Sequence, residues 1–465
     1  MHSKDKYSEV IDHCNKLFLS GKKSFALREV YSHLENFPNN TQLINTAAIF
    51  EAKTGNLTTS YNLFVKLNKL APENNTYKYN LANILVNLDR YEESEEILRN
   101  LANHNKQNYK FQRDYGVILL KLNRPQDAEK YLLRAKEIND KDQSISFVLA
   151  TTYLKLGKLS KGWALYESRF SQEKYKNNLE IASEKIAHGL IPKYKGENLA
   201  YKTLLIHHEQ GYGDFIQFMR YIHTLRKKFI GIKIILVTRK ALYRLLVNSN
   251  IADSVYHHNE AEKVDHLKID FWDFIMSIPR YFEIDYKSVV FSEPYITHKT
   301  DSNSTRKIKL SKIKPNVGII YKGSNTHEND YNRSIHLKED IEKLFSLTSL
   351  NYIYLGMDKP PEISKIQEIE INFIEDFIDD FEDTYSILKD LDLVISVDTS
   401  VAHLAGAMGK ICWLILPYSA DWRWGVDKTS SPWYPSIKIY RQVNRGNWGK
   451  LVDDLNHDLK EFLNI

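Results

Sequence analysis

The sequence predicts an α-helical solenoid followed by two parallel α/β lobes, and two observations carry that expectation. Gly21, Gly55, Asp89, Asn123 and Gly157 recur at a fixed step of 34 residues. After Phe170 this rhythm stops, and apolar runs of strand length begin to alternate with amphipathic segments of helix length. A repeat too short to bury its own apolar stripe must stack on its neighbours, whereas strand–helix alternation gives a parallel sheet with helices on its faces.

Each turn residue is followed five positions on by Ala26, Ser60, Ser94, Ala128 or Gly162, and preceded by seven by Cys14, Ala48, Ala82, Gly116 or Ala150. Gly, Asn and Asp best tolerate positive φ, and small residues let two helices approach closely, so every unit reads as a tight helical hairpin. Counted from Tyr7, the last turns carry Val30, Phe64, Leu98, Leu132 and Tyr166 in register. Pro38 and Pro72 mark where two second helices have ended. The period resembles the tetratricopeptide repeat. Such stacks form a concave face suited to an extended peptide; a spacer or oligomerisation arm is the plainer role.

At 465 residues, with 43% hydrophobic and 26% charged, the chain is too long for one core and ordinary in composition. Its longest apolar stretches, such as Ile411 to Leu416, fall well short of a bilayer span, and Met1 to Ser20 is too charged for a secretory leader, so a cytoplasmic address is expected. Two cysteines, Cys14 and Cys412, supply neither a disulfide framework nor a zinc cluster. A net charge of +5, with both signs interspersed, speaks against a nucleic-acid role.

The expected domains are a solenoid over 1–175, a linker over 176–202, a first α/β lobe over 203–312 and a second over 313–465. Strands are expected at Thr203–His207, Lys233–Thr238, Ser254–His257 and Ser288–Phe291, with helices at Phe215–Lys228 and Lys240–Asn248. A charged, Ser-rich break, Thr300 to Lys314, precedes the second lobe. There, strands are expected at Asn316–Tyr321, Tyr352–Gly356, Ile371–Ile374, Leu393–Val397, Ile411–Leu416 and Ile437–Tyr440, with helices near Leu337–Thr348, Glu362–Glu368 and Thr384–Leu391. Ligands of open parallel sheets bind beyond the carboxyl ends of the strands, so a crevice between the lobes is the default site.

The first strand runs into His207-His208-Glu209-Gln210-Gly211-Tyr212-Gly213-Asp214. This glycine loop feeding a helix start suits an anionic group, although Ile216 stands where a dinucleotide fingerprint requires a third Gly. Asp214 reads as an N-cap or as a general base that accepts a proton late, when bond formation has acidified the acceptor hydroxyl. After Leu393–Val397 come Asp398, Thr399 and Ser400, with His403 about one turn further on. Three cap-competent residues exceed what one helix start requires, which leaves groups free for a diphosphate or sugar oxygen. A structural histidine is the plainer reading of His403.

The loop from Lys322 to Ser334 is long, polar and cationic; Lys322 and Arg333 could neutralise a leaving diphosphate, with Asn325 and Ser334 beside them. The segment from Pro417 to Pro435 gathers Trp422, Arg423, Trp424 and Trp433, either to stack on a sugar or base or to bury one another. Asp390-Leu391-Asp392 reads as cap and turn chemistry rather than a metal motif, and no residue set has metal-ligand spacing.

The four blocks EQGYGDFIQFMRY, YKGSNTHENDYNRSI, DLVISVDTSVAHLAGAMGK and DWRWG…SPWYPSIKIYRQ together resemble the bacterial tetratricopeptide-repeat glycosyltransferases. Their catalytic half is similar to lipopolysaccharide heptosyltransferases and, more distantly, to O-GlcNAc transferases. The resemblance implies a GT-B fold of two facing Rossmann-like lobes, with acceptor on the first, nucleotide-sugar on the second, and inverting transfer without metal or other cofactor. It implies Asp214 as base, Gln210, Gly211 and Gly213 beside it, and Asp398, Thr399 and His403 near the donor diphosphate with Arg333 or Lys322 as basic neighbours. Ser400 stands where heptosyltransferases usually have Gly, a departure that weakens the case for a heptose donor. Members with a repeat array look like protein glycosyltransferases, some modifying flagellin with nonulosonic acids. The implied partners are therefore a nucleotide-sugar and a protein acceptor, flagellin among the candidates, whose Ser or Thr is presented to Asp214. The rivals are a protein-binding scaffold with a non-catalytic α/β half, and transfer to a lipid or glycan acceptor with the repeats serving assembly.

Overall fold

The computed structural model describes residues 4–176, 184–282, 293–298, 308, 310–325, 329–363, 366 and 369–464. By density of contacts the chain divides into Met1–Leu149 and Ala150–Ile465.

The first unit contains helices α1 (Lys4–Leu19), α2 (Lys23–Asn36), α3 (Thr41–Lys53), α4 (Leu57–Leu70), α5 (Asn75–Asn87), α6 (Tyr91–His104), α7 (Tyr109–Lys121), α8 (Pro125–Ile138) and the start of α9 (Gln143–Lys155). All five turn residues adopt positive φ: 87° at Gly21, 91° at Gly55, 57° at Asp89, 55° at Asn123 and 75° at Gly157. The small residues are buried at the helix crossings, where Ser60 Oγ donates to Ala48 O at 2.8 Å and Ser94 Oγ to Ala82 O at 2.9 Å. Val30, Phe64, Leu98 and Leu132 lie in the core as the register requires. Asn40, Asn74 and Asn108, again 34 apart, cap α3, α5 and α7 with their side-chain oxygens. The N-terminal part is thus an array of tetratricopeptide helical hairpins.

A Cβ built on Gly116 would stand 2.6 Å from Leu132 Cγ. Gly116→Val should therefore cost about 1–3 kcal/mol by overpacking, measured as a lowered urea midpoint; an unchanged midpoint would contradict the close crossing of α7 and α8.

The second unit opens with the end of α9 and α10 (Leu159–Tyr166). The packing boundary thus falls inside the fifth hairpin, whereas the repeat pattern places the solenoid's end at 175. Of the expected linker, residues 177–183 lie outside the described ones. Strands β1 (Thr203–His207), β2 (Lys233–Thr238), β3 (Ser254–His257) and β4 (Phe271–Phe274) form a parallel sheet in the order β3-β2-β1-β4. The expected strand Ser288–Phe291 lies outside the described residues, and β4 was not anticipated. The expected helix Phe215–Lys228 starts earlier, at Tyr212, and is divided at Met219 into Tyr212–Phe218 and Arg220–Lys228.

The second sheet is also parallel, in the order β10-β9-β8-β5-β6-β7. Its strands are β5 (Asn316–Ile320), β6 (Asn351–Tyr354), β7 (Ile371–Phe373), β8 (Leu393–Val397), β9 (Cys412–Leu416) and β10 (Ile437–Arg441). β5, β8 and β9 are buried along their whole length, as expected of central strands with helices on both faces. Helices Lys338–Leu344 and Phe381–Asp390 correspond to two expected ones; most of the third, Glu362–Glu368, falls outside the described residues. Asp392, expected to serve cap and turn chemistry, instead accepts through Oδ2 from Asn316 N at 2.6 Å, at the start of β5. No described helix is long and apolar enough to cross a membrane.

Candidate functional site

The carboxyl ends of β1 and β8 bring the first two sequence clusters together. Beyond β1, Gln210 takes φ 59° and Gly211 is the N-cap of helix Tyr212–Phe218. Asp214 is therefore the third residue of that helix and not its N-cap; its Oδ2 reaches back to accept from Gly211 N at 2.9 Å. Beyond β8, Thr399 is the N-cap of helix Ser400–Met408 and makes no side-chain cap bond; its Oγ1 meets Ser396 Oγ at 3.0 Å. The two helix starts touch. A Cβ built on Gly213 would stand 2.6 Å from His403 Cδ2 and 3.4 Å from Ser400 Cα, so glycine at 213 permits the approach.

Arg423 joins the two walls. Although it is only 7% exposed, it finds three acceptors: Asp214 Oδ1 from Nη2, Gln217 Oε1 from Nε at 2.9 Å, and Asp421 Oδ1 from Nη1 at 2.8 Å. Its guanidinium also lies 4.1 Å from the centre of the Trp422 ring. A buried guanidinium is tolerated only when so paired. Sequence reading placed Trp422, Arg423 and Trp424 in a loop near the nucleotide or acceptor, with an exposed stacking face as one alternative. Instead, Trp422, Trp424 and Trp433 are all buried. Trp424 stacks on the His403 ring at 5.2 Å, and Trp433 Nε1 donates to Arg423 O at 2.7 Å. Mutual burial removes these indoles from water.

Asp398 lies across from this group with its side chain 20% exposed. Burial, and then the neighbouring charge of Asp421, push its carboxyl up to about 6, while Arg423 and Arg333 pull the other way. His403 Nε2 is 3.9 Å from Asp398 Oδ1, and its Nδ1 shares a 3.0 Å hydrogen bond with Tyr434 OH. Burial, with Arg423 and Arg220 nearby, lowers the His403 pKa well below the usual value, so the ring is neutral.

The cationic loop is brought to the same edge only in part. Arg333 Nη1 donates to Asp398 O at 2.9 Å and its Nε to Asp330 Oδ1 at 3.1 Å. Ser334 Oγ links Asp330 to Gly323 N and is buried, a positioning role. Lys322 turns instead to Asp358 at 2.7 Å and Glu362 at 4.0 Å, because those carboxylates compete for its charge. Asn325 is exposed, and residues 326–328 lie outside the described ones.

Behind the first wall is an ionic network that sequence reading missed. Arg169, fully buried, donates to Glu209 Oε2 and Oε1 at 2.9 and 2.8 Å, to Ser277 Oγ at 2.7 Å and to Glu167 Oε1 at 2.6 Å. Burial alone would raise Glu167, yet Arg169, Lys193 and Arg280 together hold it down to about 2. Glu209 also accepts from Met276 N at 3.0 Å, which fixes the backbone just before Gln210. Arg220 was likewise missed: fully buried, it donates to Trp433 O at 2.6 Å and Gln217 O at 2.8 Å, tying the lobes together. Glu209, Ser277 and Trp433 are too distant in sequence from these arginines for any local pattern to announce the pairings. Beside this wall, Gln210, Gly211, Tyr212 and Arg239 line a shallow crease at the ends of β1 and β2.

Among the described residues one trio, His457, Asp458 and Glu461, has cation-holding proximity. It lies on the last helix, where Asp458 Oδ2 already accepts from Lys438 and Tyr440, both at 2.7 Å.

Comparison with known proteins bears mainly on the repeats. The tetratricopeptide-repeat model matches residues 76–103. Protein FlbA of Caulobacter vibrioides is 24% identical over 345 residues, 68% of this chain. The chain spans 55% of the length of that relative. Among solved structures, TTC0263, a tetratricopeptide protein of Thermus thermophilus, is 20% identical over 36% of this chain and 91% of its own, with a TM-score of 0.31. MamA from Desulfovibrio magneticus is 13% identical over 37% and 96%, with a TM-score of 0.32. The chain is thus a tetratricopeptide-repeat protein with a C-terminal region of parallel α/β sheets.

Proposed function

We infer that the C-terminal region is an inverting glycosyltransferase of GT-B type, moving a sugar from a nucleotide-sugar to a hydroxyl of a protein acceptor recruited by the repeats. The observation that carries this reading is the meeting of a carboxylate on one sheet's edge, Asp214, with an uncapped helix start on the other, Ser400. The acceptor hydroxyl attacks the anomeric carbon in line, and Asp214 takes its proton as the bond forms. The N–H groups at the start of Ser400–Met408 and the Arg333 guanidinium face the departing phosphate, a preorganised environment for the charge that develops there. Neutral His403 offers a hydrogen bond without adding a charge. A Ser or Thr of flagellin is one acceptor consistent with the sequence resemblance, and the donor is a nonulosonic acid or hexosamine nucleotide. No metal is required by this scheme.

One observation favours the scaffold alternative: Asp214 is engaged by Arg423, so the base is released only if that pair loosens. A thermal-shift screen against nucleotides and nucleotide-sugars separates the two, because a ligand present at a hundred times its Kd stabilises the native form by about 2.7 kcal/mol. If no nucleotide or nucleotide-sugar raises the melting temperature, the enzymatic reading fails.

The raised pKa of Asp398 gives a second test. A carboxyl raised in the native state favours folding below its unfolded value, near 4, and that contribution is lost as pH rises through about 6. The same ionisation places a negative charge beside any bound phosphate. Nucleoside diphosphate affinity should therefore rise as the pH falls from about 7.5 to about 5.5, by at most about tenfold per unit for one linked proton. Calorimetric titration of wild type and Asp398→Asn checks this: equal slopes in the two would remove Asp398 from the phosphate's neighbourhood.

A further inference from the structure

The carboxyl end of β10 concentrates hydrogen-bond donors that lack acceptors. Arg441 closes that strand, and its Nη2 donates to Trp424 O at 2.9 Å. Its Nε and Nη1 are shielded from solvent and unpartnered. The next residue, Gln442, is 4% exposed; its Oε1 accepts from Tyr418 N at 3.1 Å and Gly446 N at 3.2 Å, while its Nε2 is unpartnered. Arg441 lines a small hollow of about 50 Å³ with Asn444, Asn447, Lys450 and Asp454. The acid in that wall is already engaged, since Lys450 Nζ lies 3.2 Å from both Asp454 oxygens.

Buried donors are almost always paired in folded proteins, and an unpaired charged one is the costliest exception. Burial has already lowered the Arg441 pKa to about 10, and Asp427, the carboxylate whose charge opposes this, lies exposed at the surface. The missing partner must supply several acceptor atoms and negative charge. Phosphate and carboxylate do both, and a guanidinium binds either through more than one hydrogen bond. The hollow also communicates with the candidate catalytic edge, because Trp424 gives its carbonyl to Arg441 and its ring to His403.

We propose that the hollow at the end of β10 is an oxyanion-binding subsite in which Arg441, aided by Lys450, receives a phosphate or carboxylate group of a small ligand. It stands independently of the glycosyltransferase reading.

The test uses the full chain with inorganic phosphate and, separately, acetate, each against sodium chloride of equal ionic strength. Melting temperature and isothermal titration calorimetry are the readouts. Phosphate or acetate should raise the melting temperature and bind with a saturable isotherm; whichever does so names the group recognised. Arg441→Gln should abolish the binding, Lys450→Gln, at the exposed lip, should weaken it severalfold, and Arg333→Gln, which removes the cation of the candidate donor edge, should leave it in place. Binding lost in Arg333→Gln but kept in Arg441→Gln assigns the anion to the candidate donor edge and overturns the proposal. Equal binding by wild type and Lys450→Gln, or none by wild type, overturns it as well. Because Lys450 is 65% exposed, its substitution reports on the site even if Arg441→Gln fails to fold.

Discussion

Asp214→Asn should lower sugar transfer by about 10²–10⁴-fold, the range lost when a positioned general base is removed, while nucleotide-sugar affinity changes little. The asymmetry follows from position. Asp214 belongs to the first wall, at the start of helix Tyr212–Phe218, whereas the phosphate-facing groups belong to the second. Asparagine keeps the shape and still accepts from Gly211 N, so the helix start survives. Arg423 keeps Gln217 and Asp421 as partners, so its guanidinium is not stranded. Single-turnover measurement at saturating donor, with separate calorimetry of donor binding, checks the split. Transfer retained within threefold would reject Asp214 as base, and lost donor binding would recast it as a structural link between the walls.

The other large effect concerns stability. Arg169→Met should destabilise the second unit by about 3–5 kcal/mol, the usual cost of removing one partner of a buried ion pair. Arg169 supplies both oxygens of Glu209 with donors, and without it a carboxylate that is 3% exposed keeps only Met276 N. The direction of the Glu209 shift agrees, since burial raises its pKa and Arg169 is what opposes that. Urea unfolding followed by tryptophan fluorescence reports on the second unit, where Trp163, Trp422, Trp424 and Trp433 reside. The double variant Arg169→Met/Glu209→Gln should recover part of the loss, because no charge is then left buried. A single-variant loss below about 1 kcal/mol would mean that the pair merely offsets its own desolvation.

The solenoid was legible because each repeat solves the same local problem, and a local problem leaves a periodic trace. The turn residues show it, and so do the caps Asn40, Asn74 and Asn108, which the same step of 34 would have revealed. Most strands were legible as apolar runs between turn residues. β4 was not: Phe271–Phe274 is short and carries Asp273, fully buried and made tolerable by Lys193 at 3.4 Å and Tyr281 OH at 2.8 Å. Asp214 stands beside a glycine-rich turn and Asp398 and His403 beside the Asp-Thr-Ser turn, each at a strand end, so their neighbourhood could be read from order alone. Arg423 and Arg169 could not, since each acquires its meaning from a carboxylate 209 or 40 residues away. The tryptophan loop shows the converse: composition left a stacking platform and a self-packed loop equally open, and packing spent the rings on an interior.

The seam at Gly213 has a further consequence. The two helix starts close on each other there across a hydrogen where every other amino acid carries carbon. The gap between Asp214 and the facing helix start is in that sense written at one backbone position, and any lineage that acquired a methyl group at 213 would have had to rebuild the opposite wall around His403 to keep it.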